Sequence, residues 1–421
     1  MASTKMDLTS ADDLFKQLFV GGSDIQFNYE NVLWMKIKKS YGDFLGKQIN
    51  RGTQLANGGG IAFGSTMPTV NHDSSNYDQA NLTSKYIYSL IEIERRAMKQ
   101  GSSSVGLFDA SAMQHEVERA VARANRLMST ALYGDGTGCL YTGNANNANV
   151  SGAGTACSPY VIGVEADGNA DGFVVANFEE GDRVNINSET TALVVVAIVE
   201  TAGAEAIKLV GTSARLCTLS GSGAFGASDK IYFENSKDNA PSGLGILENT
   251  SGSSYGISHT NRRWQGNLIA AGGQGISEEL LNRLVLDTRK RSGQDIDLIV
   301  TSYLQYKKIK DFMSDHKRIQ IDPEDQKLKG VISFSALLFD SDAGPVPIIA
   351  DRFCPDDKVY ALNTSKIEFI TAPGWGWFDD DNTIFLRRDS SDTYQARYGG
   401  YGEIYIQPHF HGVITGLSEA V

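Results

Sequence analysis

Apolar residues recur at helical spacing in four places along this chain and alternate at strand spacing in many more. Between residues 111 and 131, Met113, Val117, Val121, Ala124, Met128 and Ala131 form one stripe, which predicts an amphipathic helix. Ser111 and Gln114 fit a capping box at its start, and Gly134 stands where a stop is expected. A second helix is predicted over residues 277–292. Ser277 is its N-cap, Glu278 and Glu279 favour the positive helix end, Ile276 can staple onto Leu281, and Gly293 ends it. Leu280, Leu281, Leu284, Val285 and Leu286 give it a broad apolar face. A third helix runs over residues 303–313 and carries Lys307, Lys308 and Lys310, and a short patch at 11–19 places Leu14, Phe15, Leu18 and Phe19 at i, i+4.

Strand patterns fill much of the rest. Residues 32–38 alternate imperfectly, and residues 85–94 alternate more clearly. Between them, residues 50–84 hold few large apolar side chains and a flexible bend at Gly58, Gly59 and Gly60, so this stretch predicts an open loop without a core of its own. Four strands at short, fairly even spacing, over 183–187, 192–200, 206–210 and 230–233, predict a small antiparallel barrel or sandwich within residues 158–240. Later strands are predicted over 297–302, 346–352, 358–363, 367–370, 384–386 and 403–406, with a segment at 394–398 that runs on to 414–417. The strand at 298–300 and the helix from Tyr303 form a β/α layer.

Size and charge narrow the classes. At 421 residues the chain exceeds what one core fills, so roughly two or three are expected. Its 44 glycines against 9 prolines fit many turns and strand bends in an α+β chain. The net charge of -12 disfavours tight general binding of nucleic acid, which depends on cationic neutralisation of phosphates. Cys139, Cys157, Cys217 and Cys354 show no short metal spacing and read as free thiols of a reducing compartment. The first residues lack a secretory pattern, and the longest apolar run, 193–199, is far below the ~20 residues that span a bilayer.

Candidate chemical motifs have plainer explanations. Residues 221–226 match GxGxxG, but a strand follows where a dinucleotide site needs a helix. Asp167 to Gly172 begins like a calcium loop, yet Phe178 holds the twelfth position and Glu179 comes one residue late. Asp379, Asp380, Asp381 and Asn382 read as an acidic turn, with a divalent cation between subunits as the alternative. His409 and His411 would share one face of a strand, a metal-site spacing without a visible third ligand. Arg119, Arg123 and Arg126 on the 111–131 helix read as a solvated or subunit-contact face diluted by Glu116 and Glu118, the alternative being a contact with scaffold or packaged DNA. No catalytic, cofactor-binding or metal-ligating residue is assigned, and no cofactor is called for.

The order of segments carries the strongest signal. The glycine-rich stretch 241–246, residues 257–264, the helix at 277–292, the strand at 297–302, the lysine-bearing helix, the strands at 346–352 and 358–363, and the segment 394–417 follow one another as they do in a known family. The chain resembles, over most of residues 27–417, the major capsid proteins of tailed bacteriophages, shell subunits with the Hong Kong 97-like fold. The resemblance implies an N-terminal arm (1–26), an extended β-hairpin loop with flanking strands (27–100) and a peripheral domain with a long spine helix (101–157). It further implies an inserted small β-barrel domain (158–240), an axial domain (241–345), and axial strands that return to the peripheral domain (346–421). It implies self-assembly into pentamers and hexamers of an icosahedral head shell around double-stranded DNA, in a virion assembled in the host bacterial cytoplasm. Scaffolding, portal and decoration proteins are the implied partners, with a separate scaffolding protein or none. Lys47 and Asn363 are of suitable type for the inter-subunit cross-link that some members form.

Two other readings remain at this point. An encapsulin-like nanocompartment shares the fold, and a β-rich glycan-binding protein or enzyme would use Trp264, Trp375 and Trp377 as a sugar-facing row.

Overall fold

The structure is a computed structural model that describes residues 32–41, 44, 46, 48–63, 74–95, 111–143, 150–163, 174–199, 205–220, 223, 225–226, 228–316, 337–341, 344–372, 376–379, 384–388 and 391–418. The arm at 1–26, Lys47, the calcium-like turn at 167–172, Trp375, Asp380 to Asn382 and part of the 221–226 glycine loop lie outside the described residues. The described residues fall into two compact units, one drawn from 89–123 and 377–398, the other from 30–88, 124–376 and 399–421.

The larger unit holds three six-stranded or shared sheets and a hairpin. In the C-terminal half, the strands Asn267–Ala270, Gly412–Thr415, Val359–Leu362, Leu298–Thr301, Gly344–Ala350 and Leu337–Ser341 lie side by side in that order. The sheet is mixed, parallel at its first and fourth pairings and antiparallel elsewhere. Its central strands are buried along their whole length, as strands covered on both faces must be. The helices Glu278–Ser292 and Tyr303–His316 cover it, with Leu281, Leu284, Val285 and Ile309 entering one core with Ile299, Ile348, Val359 and Ile414. Local signals set the first of these helices as the sequence predicts. Ser277 accepts from the Leu280 amide, Gly293 closes the end at φ 69°, and Ile276 packs on the same core.

A second six-stranded sheet is antiparallel throughout and encloses its own core. Its order is Cys139–Thr142, Lys230–Phe233, Arg183–Ile186, Leu193–Val199, Ala206–Val210 and Tyr160–Gly163. It therefore takes in residues 139–142, a strand that precedes the β-rich stretch read from the sequence. Phe178, Phe225, Ile231 and Leu209 are among the residues that fill it.

The third sheet uses Lys38–Tyr41, Ile367–Thr371 and the last part of the long strand Thr393–Ile406, paired parallel and then antiparallel. Here Gly399 has φ 151°, and a Cβ on it would stand 2.0 Å from the Ile87 carbonyl oxygen, so only glycine lets the strand pass this close. In the smaller unit the same long strand begins, joined by Leu386–Arg387 and by a Phe378 amide that donates to Arg397. Glu92 gathers Arg388, Thr393 and Gln395 around its carboxylate there.

One predicted element and one predicted side-chain setting differ. Residues 32–36 are a short helix and not part of a strand, with Val32, Leu33 and Trp34 buried. Its start is capped from afar, because the buried Asp351 carboxylate accepts from the Leu33 amide at 3.2 Å. The long helix runs Ser111–Tyr133, and its deepest line is Ala120, Ala124, Met128 and Leu132. Arg126 belongs to no solvated face. It is buried between Glu179 at 2.8 Å and Asp182 at 2.6 Å, and ties this helix to the antiparallel sheet. Arg119 and Arg123 do lie in solvent, each near Glu116.

Candidate assembly surface

The strands Gln48–Ala56 and Asn76–Thr83 form a two-stranded antiparallel hairpin, and alternation decides which side chains face the body. Ile49 pairs with Leu82 and Arg51 with Ala80 on the inward face. Leu55, Ala80 and Leu82 are buried in one cluster with Phe44, Ile257, Trp264, Ile370 and Tyr405 of the same chain. The Asn81 amide donates to the Tyr255 carbonyl at 2.8 Å, and Trp264 fixes its own ring by donating from Nε1 to Ser254. The root of the hairpin thus rests on its own subunit, a contact that the sequence reading of 50–84 as an open loop without a core of its own does not include. The tryptophan that anchors it lies about 180 residues later in the chain, so the sequence between 50 and 84 carries no sign of the contact.

Charge reinforces the root. Glu368 receives Lys38 at 2.7 Å and Arg51 at 2.8 Å, together with the Ser40 hydroxyl, and the Arg51 guanidinium also lies over the Tyr405 ring. Burial pushes the Glu368 carboxyl up, but these donors prevail and hold it at about 2. Truncating Leu82 to alanine should leave a cavity beside Trp264 and cost about 2–5 kcal/mol of subunit stability in denaturant titrations. A loss below ~1 kcal/mol would show that the hairpin root is not packed as described.

Beyond the root, the picture reverses. Ile61 is 87% exposed, Phe63 is 102% exposed, and Tyr77 is 67% exposed at the distal end of the second hairpin strand. Isolated exposed apolar residues are ordinary, but these two large ones, close after a run of glycines, are covered by nothing among the described residues. A further aromatic group stands on the strand Lys85–Glu94, where Ile87 points inward and Tyr86 and Tyr88 outward. Tyr86 meets Tyr401 edge to face with centroids 4.9 Å apart.

One buried acid sits near the glycine-rich stretch 241–246. Glu403 accepts from the Ser242 amide at 2.6 Å, and burial pushes its carboxyl up to about 7, opposed by that amide and by Lys85. A carboxyl raised from 4.5 when unfolded contributes stability that is complete below about pH 4.5 and lost as pH rises through about 7. Relative to a Glu403→Gln variant, the native chain should therefore lose stability between pH 5 and 8. Parallel melting curves for the two proteins over that range would refute the assignment.

The sequence-level chemical candidates are not brought together. His409 and His411 do not share a strand face, because Pro408 cannot continue the ladder and opens a 3-10 turn over Pro408–Phe410. His409 lies edge-on to Phe410, whereas His411 is fully buried and accepts the Asn363 amide on Nδ1. Burial holds the His411 imidazole down at about 3, so it is neutral. Asn363 is occupied as a cap. Its amide group donates to the Asp295 carbonyl, and its oxygen accepts from Ser365. Glu179 is committed to Arg126, and the Gly226 amide is satisfied by Asp229. Trp264 is buried and Trp377 is half-buried against Tyr398, which leaves no tryptophan row for a sugar among the described residues. Among the described residues no group of three or more His, Cys, Asp or Glu could hold a metal ion, and no helix is long and apolar enough to cross a membrane.

The fold defines the class. Along 98% of its length the chain superposes on all of a subunit from the cyanophage A-1(L) capsid, with a TM-score of 0.57 and 13% identity. It also matches, over 98% of its length and 99% of the other chain, the capsid subunit of a native GTA particle, with a TM-score of 0.50 and 8% identity. The holo-SrpI encapsulin of Synechococcus elongatus aligns over 99% of this chain and 98% of its own, at a TM-score of 0.46 and 6% identity, too distant to weigh. This is the Hong Kong 97-like fold of head-shell subunits. Residues 230–418 match the family model described as SU10 major capsid protein. Over these residues, somewhat under half of its length, the chain is similar to a phage major capsid protein family, and its whole length shares the fold of capsid subunits. Curated protein sequences contain no match.

Proposed function

We propose that copies of this chain form pentameric and hexameric rings that close into an icosahedral shell around double-stranded DNA. The observation that carries this reading is the hairpin whose root is locked to its own subunit while Ile61 and Phe63 at its tip are bare. Such a tip loses apolar exposure only when another copy arrives, and repeating that contact by rotation closes a ring. The antiparallel sheet spanning residues 139–233, with its own core, is consistent with a small domain inserted between the long helix and the axial sheet.

The surplus of 50 acidic over 38 basic residues favours weak contact with packaged DNA, so that a container does not hold its contents fast. Scaffolding, portal and decoration proteins would complete the particle, assembled in the host bacterial cytoplasm. Native mass measurement on partly dissociated particles tests the ring arrangement. Discrete species at five and six times the 45.6 kDa subunit are expected, and a ladder without either would contradict it.

A further inference from the structure

We infer that Asn57 is a self-modification site, its side-chain amide attacked by the Gly58 backbone nitrogen and converted to a carboxylate at the hairpin tip. The chemistry stands on the geometry alone, and its consequence for assembly rests on the capsid reading. Asn57–Gly58 is the one Asn-Gly pair in the sequence. Glycine matters in second place because it has no Cβ to hold its nitrogen away from the preceding side chain. The pair stands where the hairpin ladder ends, since the last pairing joins Ala56 to Asn76, and Asn57 is exposed to the water that the reaction consumes.

Two hydrogen bonds polarise the reacting groups in the direction the reaction needs. Gln54 Nε2 donates to Asn57 Oδ1 at 3.0 Å, which draws charge from the carbonyl and stabilises the oxyanion that forms when its carbon is attacked. The Gly58 amide donates to Ser75 Oγ at 3.1 Å, so the proton that this nitrogen must give up already lies on an acceptor. Gln54 belongs to the first hairpin strand, Gln48–Ala56, and Ser75 immediately precedes the second, Asn76–Thr83. The folded hairpin therefore supplies both groups, one from each side of the tip.

The bond between the Gly58 nitrogen and Asn57 Cγ forms and closes a succinimide ring, while the bond from Cγ to Nδ2 breaks. The proton lost by Gly58 ends on the departing nitrogen, which leaves as ammonia. Water then opens the ring, at Cγ to give aspartate or at the main-chain carbonyl to give isoaspartate. No other reactant enters. The consequence falls on the exposed Ile61 and Phe63 close by, because a carboxylate on the same tip must be desolvated whenever these two are covered. The isoaspartate form also lengthens the main chain by a methylene. Subunits left unassembled thus lose assembly competence with age.

The test follows the unassembled full-length chain by mass spectrometry over weeks. A gain of about 1 Da localised to Asn57 by fragmentation, with isoaspartate among the products, is expected. Gly58→Ala should slow the gain at least tenfold, and alanine fits there because Gly58, unlike Gly60, is not held at positive φ. Gln54→Ala and Ser75→Ala should each slow it at least threefold, whereas Ser75→Thr keeps the hydroxyl and should restore the native rate. An Asn57→Asp chain should fold as the native one does and give at least threefold fewer shells in particle counts. An unchanged Asn57, or native rates in Gln54→Ala and Ser75→Ala, would overturn the inference, and native shell yields from Asn57→Asp would overturn its consequence. Failure of the wild-type chain to form shells would strike the capsid reading and leave the mass gain at Asn57 standing.

Discussion

Replacing Gly243 by alanine should leave little or no folded subunit. Gly243 has an ordinary extended backbone, so conformational freedom is not the reason for glycine here. Its requirement is space. A Cβ would stand 2.3 Å from the Ala131 carbonyl oxygen, 2.4 Å from that of Leu132 and 2.7 Å from that of Gly134, all backbone atoms at the end of the long helix. The neighbouring Gly245 donates its amide to the Gly134 carbonyl, and Asp135 bridges to Ser242, so the stretch 241–246 is hydrogen-bonded to the chain that leaves that helix. A methyl group there must push main chain away from main chain and break those hydrogen bonds together. The expected loss exceeds ~4 kcal/mol, in the range reserved for changes that a core cannot absorb. Soluble expression and circular dichroism would read it directly, and a variant that melts within a few degrees of the native chain would show that the junction is looser than described.

Deleting the tip, residues 58–74, and joining the strands with a short turn should have the opposite profile. The subunit should melt near the native temperature, because Leu55, Ala80 and Leu82 at the root remain on Trp264. Shells should disappear, because Ile61 and Phe63 go with the tip. A wider deletion of 50–84, the whole stretch that the sequence reads as an open loop, is a poorer experiment. It would also strip the cover from Trp264 and Ile257 and remove Arg51 from Glu368, so loss of shells would follow from damage to the subunit. Normal particles from the tip deletion would show that the exposed apolar pair plays no part in assembly. A Phe63→Ser change alone should show the same separation of stability from assembly in weaker form.

What was legible in the sequence was what is locally determined. The helix Glu278–Ser292 could be read almost to the residue because its cap, its acidic first turn and its terminal glycine are all in the segment itself. Lys85–Glu94 was legible because one face is buried and the other is not, which imposes alternation. The order of such segments was enough to indicate the shell fold. What stayed hidden depends on residues far apart in the chain. The short helix at 32–36 is started by Asp351, and Arg126 looks like a surface residue until Glu179 and Asp182 are folded against it. The hairpin root escaped for the same reason, its burial being decided by Trp264 and Ile257. The strand at 139–142 is four residues long and gains its place only by pairing with Lys230–Phe233. The histidine pair misled because spacing was read as strand where Pro408 imposes a turn.

Electron microscopy of the purified, overexpressed chain, alone and mixed with lysate of its source, tests the central claim most directly. Closed shells, or the tubes and rings of megadalton mass that capsid subunits form when closure is incomplete, are the expected result. A uniform small oligomer in both samples would contradict the account.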